Sequence, residues 1–211
     1  GGAGGTLGLN QGAKAAPDGY TLVTATPSLT INPYIQKNIP YDPIKDFAPI
    51  ALVATSPIVL VVPEDSRIHS VRDLIDMAKA RPGEIRYGSA GIGSATHLST
   101  ALFEAMAGVR LVHVPYRGAG PALLDVIAGR LDLQFENAPS VLGHVRGGAL
   151  RGIAVGSAKR SSLFPDLPTI AETVPGYEAT SWFGVLAPAK TSRAVMGRVN
   201  AAINKALDLI Y

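Results

Sequence analysis

Residues 88–99, GSAGIGSATHLS, place four hydroxyl side chains and three glycines in twelve positions, directly ahead of an apolar helical pattern. Glycine lets a ligand come close to the backbone, and a helix start leaves N–H groups unpaired beside a partial positive charge. With Ser94 as N-cap and Leu98, Leu102, Ala105 and Met106 behind it, the stretch reads as a cradle for a carboxylate or phosphate. Its candidate ligand-binding residues are Ser89, Gly91, Gly93, Ser94, Ala95 and His97, with the Thr96 hydroxyl at the rim. An ordinary capped helix after a tight turn accounts for the same residues. The stretch is not a P-loop, because no Lys follows the glycines, and it lacks the third glycine of the dinucleotide fingerprint. Tyr87 stands where a nucleophile elbow around Ser89 needs glycine.

Two more stretches carry polar groups at the ends of predicted strands, where α/β sheets present ligand contacts. In TATPSLTINP, residues 24–33, a loop is expected in which Thr26 and Ser28 face a ligand; turn chemistry around Pro27 and Pro33 is the alternative. In LQFENAPS, residues 133–140, Glu136 and Asn137 emerge from a strand, the carboxylate able to read an ammonium or hydroxyl and the amide to donate and accept. Capping of the next helix by Asn137 or Ser140 competes with that role. The histidines at 69, 97, 113 and 144 have no metal-ligand spacing, and only His97 lies near a candidate pocket. No metal, no cofactor and no catalytic pair are expected. Trp182 and Phe183 line either a cleft or the core.

The elements that must position these groups follow from periodicity. Strands are expected at 20–26 and, as a pair joined at Ser56 and Pro57, across 47–63. A helix capped by Ser70 follows, with Val71, Leu74, Ile75 and Ala78 on one face and Pro82-Gly83 as its stop. Strands at 84–88, 109–115, 131–136 and 152–156 then alternate with helices at 94–107, 120–128 and 139–146, the signature of βαβ units in a largely parallel sheet. A Pro-rich passage, SLFPDLPTIAETVPGYEATS, reads as a surface loop with a short helix. A strand at 182–188 and a helix capped by Thr191 or Ser192, with Val195, Val199, Ala202, Ile203 and Ala206 on one face, complete the chain. The strands at 58–62 and 182–187 bracket the regular block and suit crossings between two lobes.

Composition narrows the function classes. With 211 residues, 47% of them hydrophobic, the chain can bury a proper core. At 17% charged and a net charge of +3, with Lys and Arg scattered, it lacks the clustered charge that nucleic acid or a membrane surface requires. The absence of cysteine excludes disulfides and thiol chemistry. No apolar run approaches the roughly 18 residues of a membrane helix, so a soluble protein is expected. The chain opens on GGAGGTLG without Met and ends on ALDLIY inside a helical pattern, so both ends read as cut.

Taken together, APDGYTL, INPYIQKNIPYDPIKDFAPI, SAGIGSATHL, HVPYRGAGPALLDVIAGRLDLQFENAPS, AVGSAKRS, PDLPTIAE and GYEATSWFGVLAP resemble the Bug family of TctC-like solute-binding proteins, in unbroken order from the start of the chain to about residue 205. The resemblance implies an α/β, two-lobed periplasmic binding protein of type II-like architecture, each lobe a mixed, mostly parallel sheet with flanking helices, joined by hinge strands and truncated at both ends. Residues 1–63 and 182–211 form an incomplete first lobe and 64–181 the second. It implies a monomeric periplasmic receptor, not an enzyme, that closes its interlobe cleft over a small carboxylate (an organic, amino or aromatic acid) and passes it to the membrane components of a tripartite tricarboxylate transporter. The loop matching Ser89 to His97, the loop matching Thr24 to Asn32, and Glu136 with Asn137 are the implied contacts. Leu29 stands where the family frequently has His, and Glu136 where it usually has Asp, the longer acid reaching further into the cleft. Two alternatives stay open: an effector-binding domain of a LysR-like regulator and an α/β hydrolase-type enzyme.

Overall fold

Hydrophobic periodicity becomes seven strands and seven α-helices in the computed structural model, which describes residues 5–209. In chain order these are α1 (Thr6–Ala13), β1 (Val23–Ala25), α2 (Ser28–Ile35), β2 (Phe47–Pro63), α3 (Val71–Ala80), β3 (Arg86–Ser89), α4 (Ala95–Ala107), β4 (Val112–Pro115), α5 (Ala119–Ile127), β5 (Leu133–Asn137), α6 (Ala138–Arg146), β6 (Leu150–Val155), a 3-10 turn (Ile170–Glu172), β7 (Thr180–Pro188) and α7 (Arg193–Leu207). The chain divides into two compact units, residues 1–55 with 182–211, and residues 56–181. No helix among the described residues is long and apolar enough to cross a membrane.

The larger unit, 56–181, is organised by the second half of β2. Its side chains alternate: Ile58, Leu60 and Val62 face one core, Val59 and Val61 the other, and all five are fully buried. A strand covered on both faces must read as a continuous apolar run, as IVLVV does. The first core takes Val71, Leu74, Ile75 and Ala78 of α3 and Phe103 of α4; the second takes Leu123 and Val126 of α5 and Val141 of α6. Each such Leu or Val contributes about 1.5–3 kcal/mol by leaving water. The sheet is mixed: β2 pairs antiparallel with β5 and β6, whereas β3 pairs parallel with β4 and β5. Ser70 caps α3 by accepting from Asp73 N–H, as its spacing predicts. In the Pro-rich passage, Thr169 and Glu172 close a reciprocal capping box around the 3-10 turn.

In the smaller unit, β1 pairs antiparallel with β7 (Val23 opposite Leu186, Ala25 opposite Gly184). Leu9, Val23, Ala25, Leu29, Tyr41, Phe47 and Leu186 form its core. Helix α7 has no fully buried residue; Asn200 Nδ2 ties it to the carbonyl of Ile50 at 2.7 Å.

Two sequence expectations change here. The two strands expected to meet at Ser56 and Pro57 are the single strand β2, because pairing with β5 begins only at Ile58 and the missing N–H of Pro57 costs the ladder nothing. The loop expected at 24–33 is largely α2. Pro27, with φ −48°, sets helical backbone at its start, and burial of Leu29 and Asn32 on one side holds the turn. Pro33 sits inside this helix, which ends two residues later at Ile35.

Candidate functional site

Parallel pairing brings three strand ends together in the larger unit. Ser89 is level with Pro115 of β4, and Gly88 with Gln134 of β5, so the carboxyl ends of β3, β4 and β5 open at one edge. At that edge of an α/β sheet, loops and helix starts meet.

The loop from Ser89 to His97 is held by its own polar groups. Ser89 Oγ, fully buried, accepts from Gly91 N–H at 3.1 Å, and Thr96 Oγ1 accepts from Ala90 N–H at 2.9 Å. Ser94 Oγ donates to the Gly91 carbonyl at 2.6 Å and accepts from His97 N–H at 3.3 Å, capping α4 as expected. His97 Nδ1 accepts from Gly93 N–H at 3.3 Å. Gly91 and Gly93 take φ of +119° and +80°, which L side chains rarely adopt. Ile92 stands between them, 59% exposed.

This arrangement decides what the loop can do. Of the four N–H groups that begin α4, that of Ser94 goes to the Gly91 carbonyl and that of His97 to Ser94 Oγ. The N–H groups of Ala95 and Thr96 lie beyond the helix's own hydrogen-bonding pattern and carry the positive end of its dipole. The hydroxyls of Ser89, Ser94 and Thr96 are spent within the loop, so what the arrangement could offer an anion is the backbone of the helix start.

His113 joins the site unannounced by the sequence. Its Nε2 is 2.6 Å from Ser89 Oγ, its ring stacks on Tyr87 with centroids 4.9 Å apart, and the ring of His97 stacks on it at 4.2 Å. His97 is therefore not the only histidine beside the Gly/Ser loop. The signal was available in register: pairing RYGS with VHVP in parallel sets Tyr87 opposite His113. Burial lowers the pKa of His97, and burial together with the neighbouring His97 pushes His113 down to about 4.

At the end of β5, Glu136 is fully buried. Its Oε2 accepts from Gln134 Nε2 at 2.7 Å, and its Oε1 from the backbone N–H and Nδ2 of Asn137 at 2.8 and 3.0 Å. Burial raises the pKa of this carboxyl, and the three N–H bonds pull the other way. Sequence reading made Glu136 a group reaching outward; the structure shows a carboxyl spent on its own strand end, with Gln134 as an unforeseen partner. Asn137 precedes α6 without a side-chain cap bond, its amide committed to Glu136 and its Oδ1 buried with no hydrogen-bond partner.

Thr26 and Ser28 belong to the smaller unit. Thr26 follows β1 and its carbonyl accepts from Leu29 N–H at 2.9 Å; Ser28 is buried in the first turn of α2. Leu29 packs in the core of that unit. Among the described residues, no cluster of three or more His, Cys, Asp or Glu side chains could hold a metal ion.

The model of the family described as "Tripartite tricarboxylate transporter family receptor" matches residues 1–209. The protein BugT of Bordetella pertussis is 40% identical over 210 residues, 98% of this chain and 64% of its own length. A solved Rhodopseudomonas palustris structure with adipate is 40% identical with a TM-score of 0.91, covering 94% of this chain and 67% of that one. MatC from Rhodopseudomonas palustris, solved with bound malate, is 29% identical with a TM-score of 0.91, covering 98% of this chain and 71% of that one. The chain spans 62% and 64% of the length of two curated relatives that it matches at 41% and 40% identity.

Proposed function

This chain belongs to the TctC family of tripartite tricarboxylate transporter receptors, and from that premise we propose that it is the binding part of a periplasmic receptor for a small carboxylate. The observation that carries the reading is the start of α4. Two backbone N–H groups, those of Ala95 and Thr96, stand at a positive helix end behind a glycine loop that lets an anion approach. One carboxylate sits there. Asn137 Oδ1, at the end of the neighbouring strand, accepts from a hydroxyl or other donor on the rest of the ligand.

Two solved relatives bind adipate and malate, which supports a dicarboxylate as the ligand class. The two compact units serve as the lobes of the receptor. We further infer that the receptor acts as a monomer and delivers its ligand to the membrane components of a tripartite transporter, a role the family's description as a transporter receptor supports. That description is of a receptor, not an enzyme, which sets aside the hydrolase alternative.

Native mass spectrometry of the purified protein, then thermal unfolding with adipate, malate and a panel of mono- and tricarboxylates, tests the proposal. A ligand at 100 times its Kd adds about 2.7 kcal/mol of stability. A rise in Tm of several degrees with one class of carboxylate is expected. No shift with any member of the panel overturns the reading.

A further inference from the structure

We infer that His113 is the positioning residue of the Gly/Ser loop: its Nε2 fixes Ser89 Oγ and its ring carries that of His97, so the loop keeps its binding shape only while both imidazoles are neutral. The inference rests on the carboxylate reading of that loop.

Four contacts meet in this small volume. Gly91 N–H and His113 Nε2 converge on Ser89 Oγ, which anchors the first half of the loop. Gly93 N–H donates to His97 Nδ1, so that nitrogen carries no proton, and this anchors the second half. The stacked rings of His97 and His113 join the two anchors, with planes 23° apart. A proton on His97 Nδ1 sets two donors against each other and releases Gly93. A proton on His113 puts a cation against the face of His97, where water cannot fully solvate it.

The surroundings offer no counter-charge by hydrogen bond. On β3 the groups are Tyr87, stacked on His113, and Arg86, paired with Asp132; on α4 there is Glu104, whose Oε1 accepts from Leu111 N–H. On β5 there is Glu136, bonded to Gln134 and Asn137; after β4 come Tyr116, bonded to Asp125, and Arg117. Among the described residues, neither imidazole of the stack is hydrogen-bonded to a carboxylate. Burial accordingly lowers both histidines from the ordinary 6.5, His113 to about 4. In that window the folded loop binds fewer protons than the unfolded chain, so its stability is complete above the ordinary value and is lost as pH falls.

The test is amide hydrogen exchange with nitrogen-15 imidazole spectra at about pH 7.5 and about pH 4.5, on the protein and on His113→Phe and His113→Gln, with adipate as the binding probe. At the higher pH, His97 Nδ1 is expected to be unprotonated and the Gly91 and Gly93 amides protected. On acidification their protection falls by about tenfold or more, while that of core amides such as Phe103 holds. His113→Phe keeps the stack but loses the Ser89 contact, so Gly91 protection and adipate affinity fall together at the higher pH. His113→Gln, with an amide able to reach Ser89, recovers part of both. Loop protection that ignores pH, or a loss in His113→Phe shared equally by Phe103, overturns the inference. Loop amides that show the pH step in a protein that binds no adipate or malate leave the inference standing and remove the ligand reading instead. Adipate binding unaffected by His113→Phe does the reverse.

Discussion

Gln134 Nε2 donates to Glu136 Oε2 at 2.7 Å, between side chains two residues apart on the same face of β5. Both residues are fully buried, and no Lys or Arg pairs with the acid among the described residues. A buried carboxyl satisfied by three neutral N–H donors is a costly thing to ionise.

The raised pKa of Glu136 sets a sign. The folded state binds more protons than the unfolded one between the two pKa values, so the penalty is absent in acid and present at neutral pH. Glu136→Gln is therefore expected to melt higher than the parent at neutral pH, with the gap closing as pH falls toward the ordinary carboxylate value. Scanning calorimetry across that range checks it; a variant less stable at every pH would show that the N–H bonds to the carboxylate outweigh its desolvation.

Gly93→Leu attacks the loop through its backbone. At φ +80° an L residue costs about 1–2 kcal/mol, and a bulky side chain also covers the approach to the start of α4. Loss of adipate affinity by at least about tenfold, 1.4 kcal/mol, is expected by calorimetry. Unchanged affinity would remove the Gly/Ser loop from the binding site.

Ser94→Ala takes away a hydroxyl that donates to the Gly91 carbonyl and accepts from His97 N–H. Loss of such a cap costs about 0.5–2 kcal/mol, near 1 in most proteins. Urea unfolding followed by circular dichroism measures it. Weaker adipate binding should accompany the loss, because the released His97 N–H no longer holds the loop.

Tyr177→Phe probes the tie between the Pro-rich passage and α4. The fully buried hydroxyl of Tyr177 donates to the Ser99 carbonyl at 3.0 Å while its ring packs edge-on to Phe103. Removing the hydroxyl forfeits that hydrogen bond, at a cost of about 1 kcal/mol, and leaves the aromatic packing in place. A thermal shift within error would mean the carbonyl finds another donor.

Whatever depends on residues a few positions apart was legible in the amino-acid order. Ser70 and Ser94 announced two helix starts by type and spacing, and the apolar run IVLVV announced a strand covered on both faces. The glycine turn into a capped helix at 89–97 was visible because glycine and a capping serine act through local backbone geometry. What tertiary structure alone decided depends on partners far along the chain. His113 reaches Ser89 across 24 positions and meets His97 face to face, which follows from the parallel register of β3 and β4 and from the seat of α4. Glu136 looked like a free strand-end acid until packing closed over it, since burial is a property of the assembled sheet and its helices. The helix at Ser28–Ile35 likewise forms although Pro33 sits inside it, at a cost of about 3 kcal/mol, because Pro27 presets helical backbone at its start and Leu29 is buried against the core of its unit.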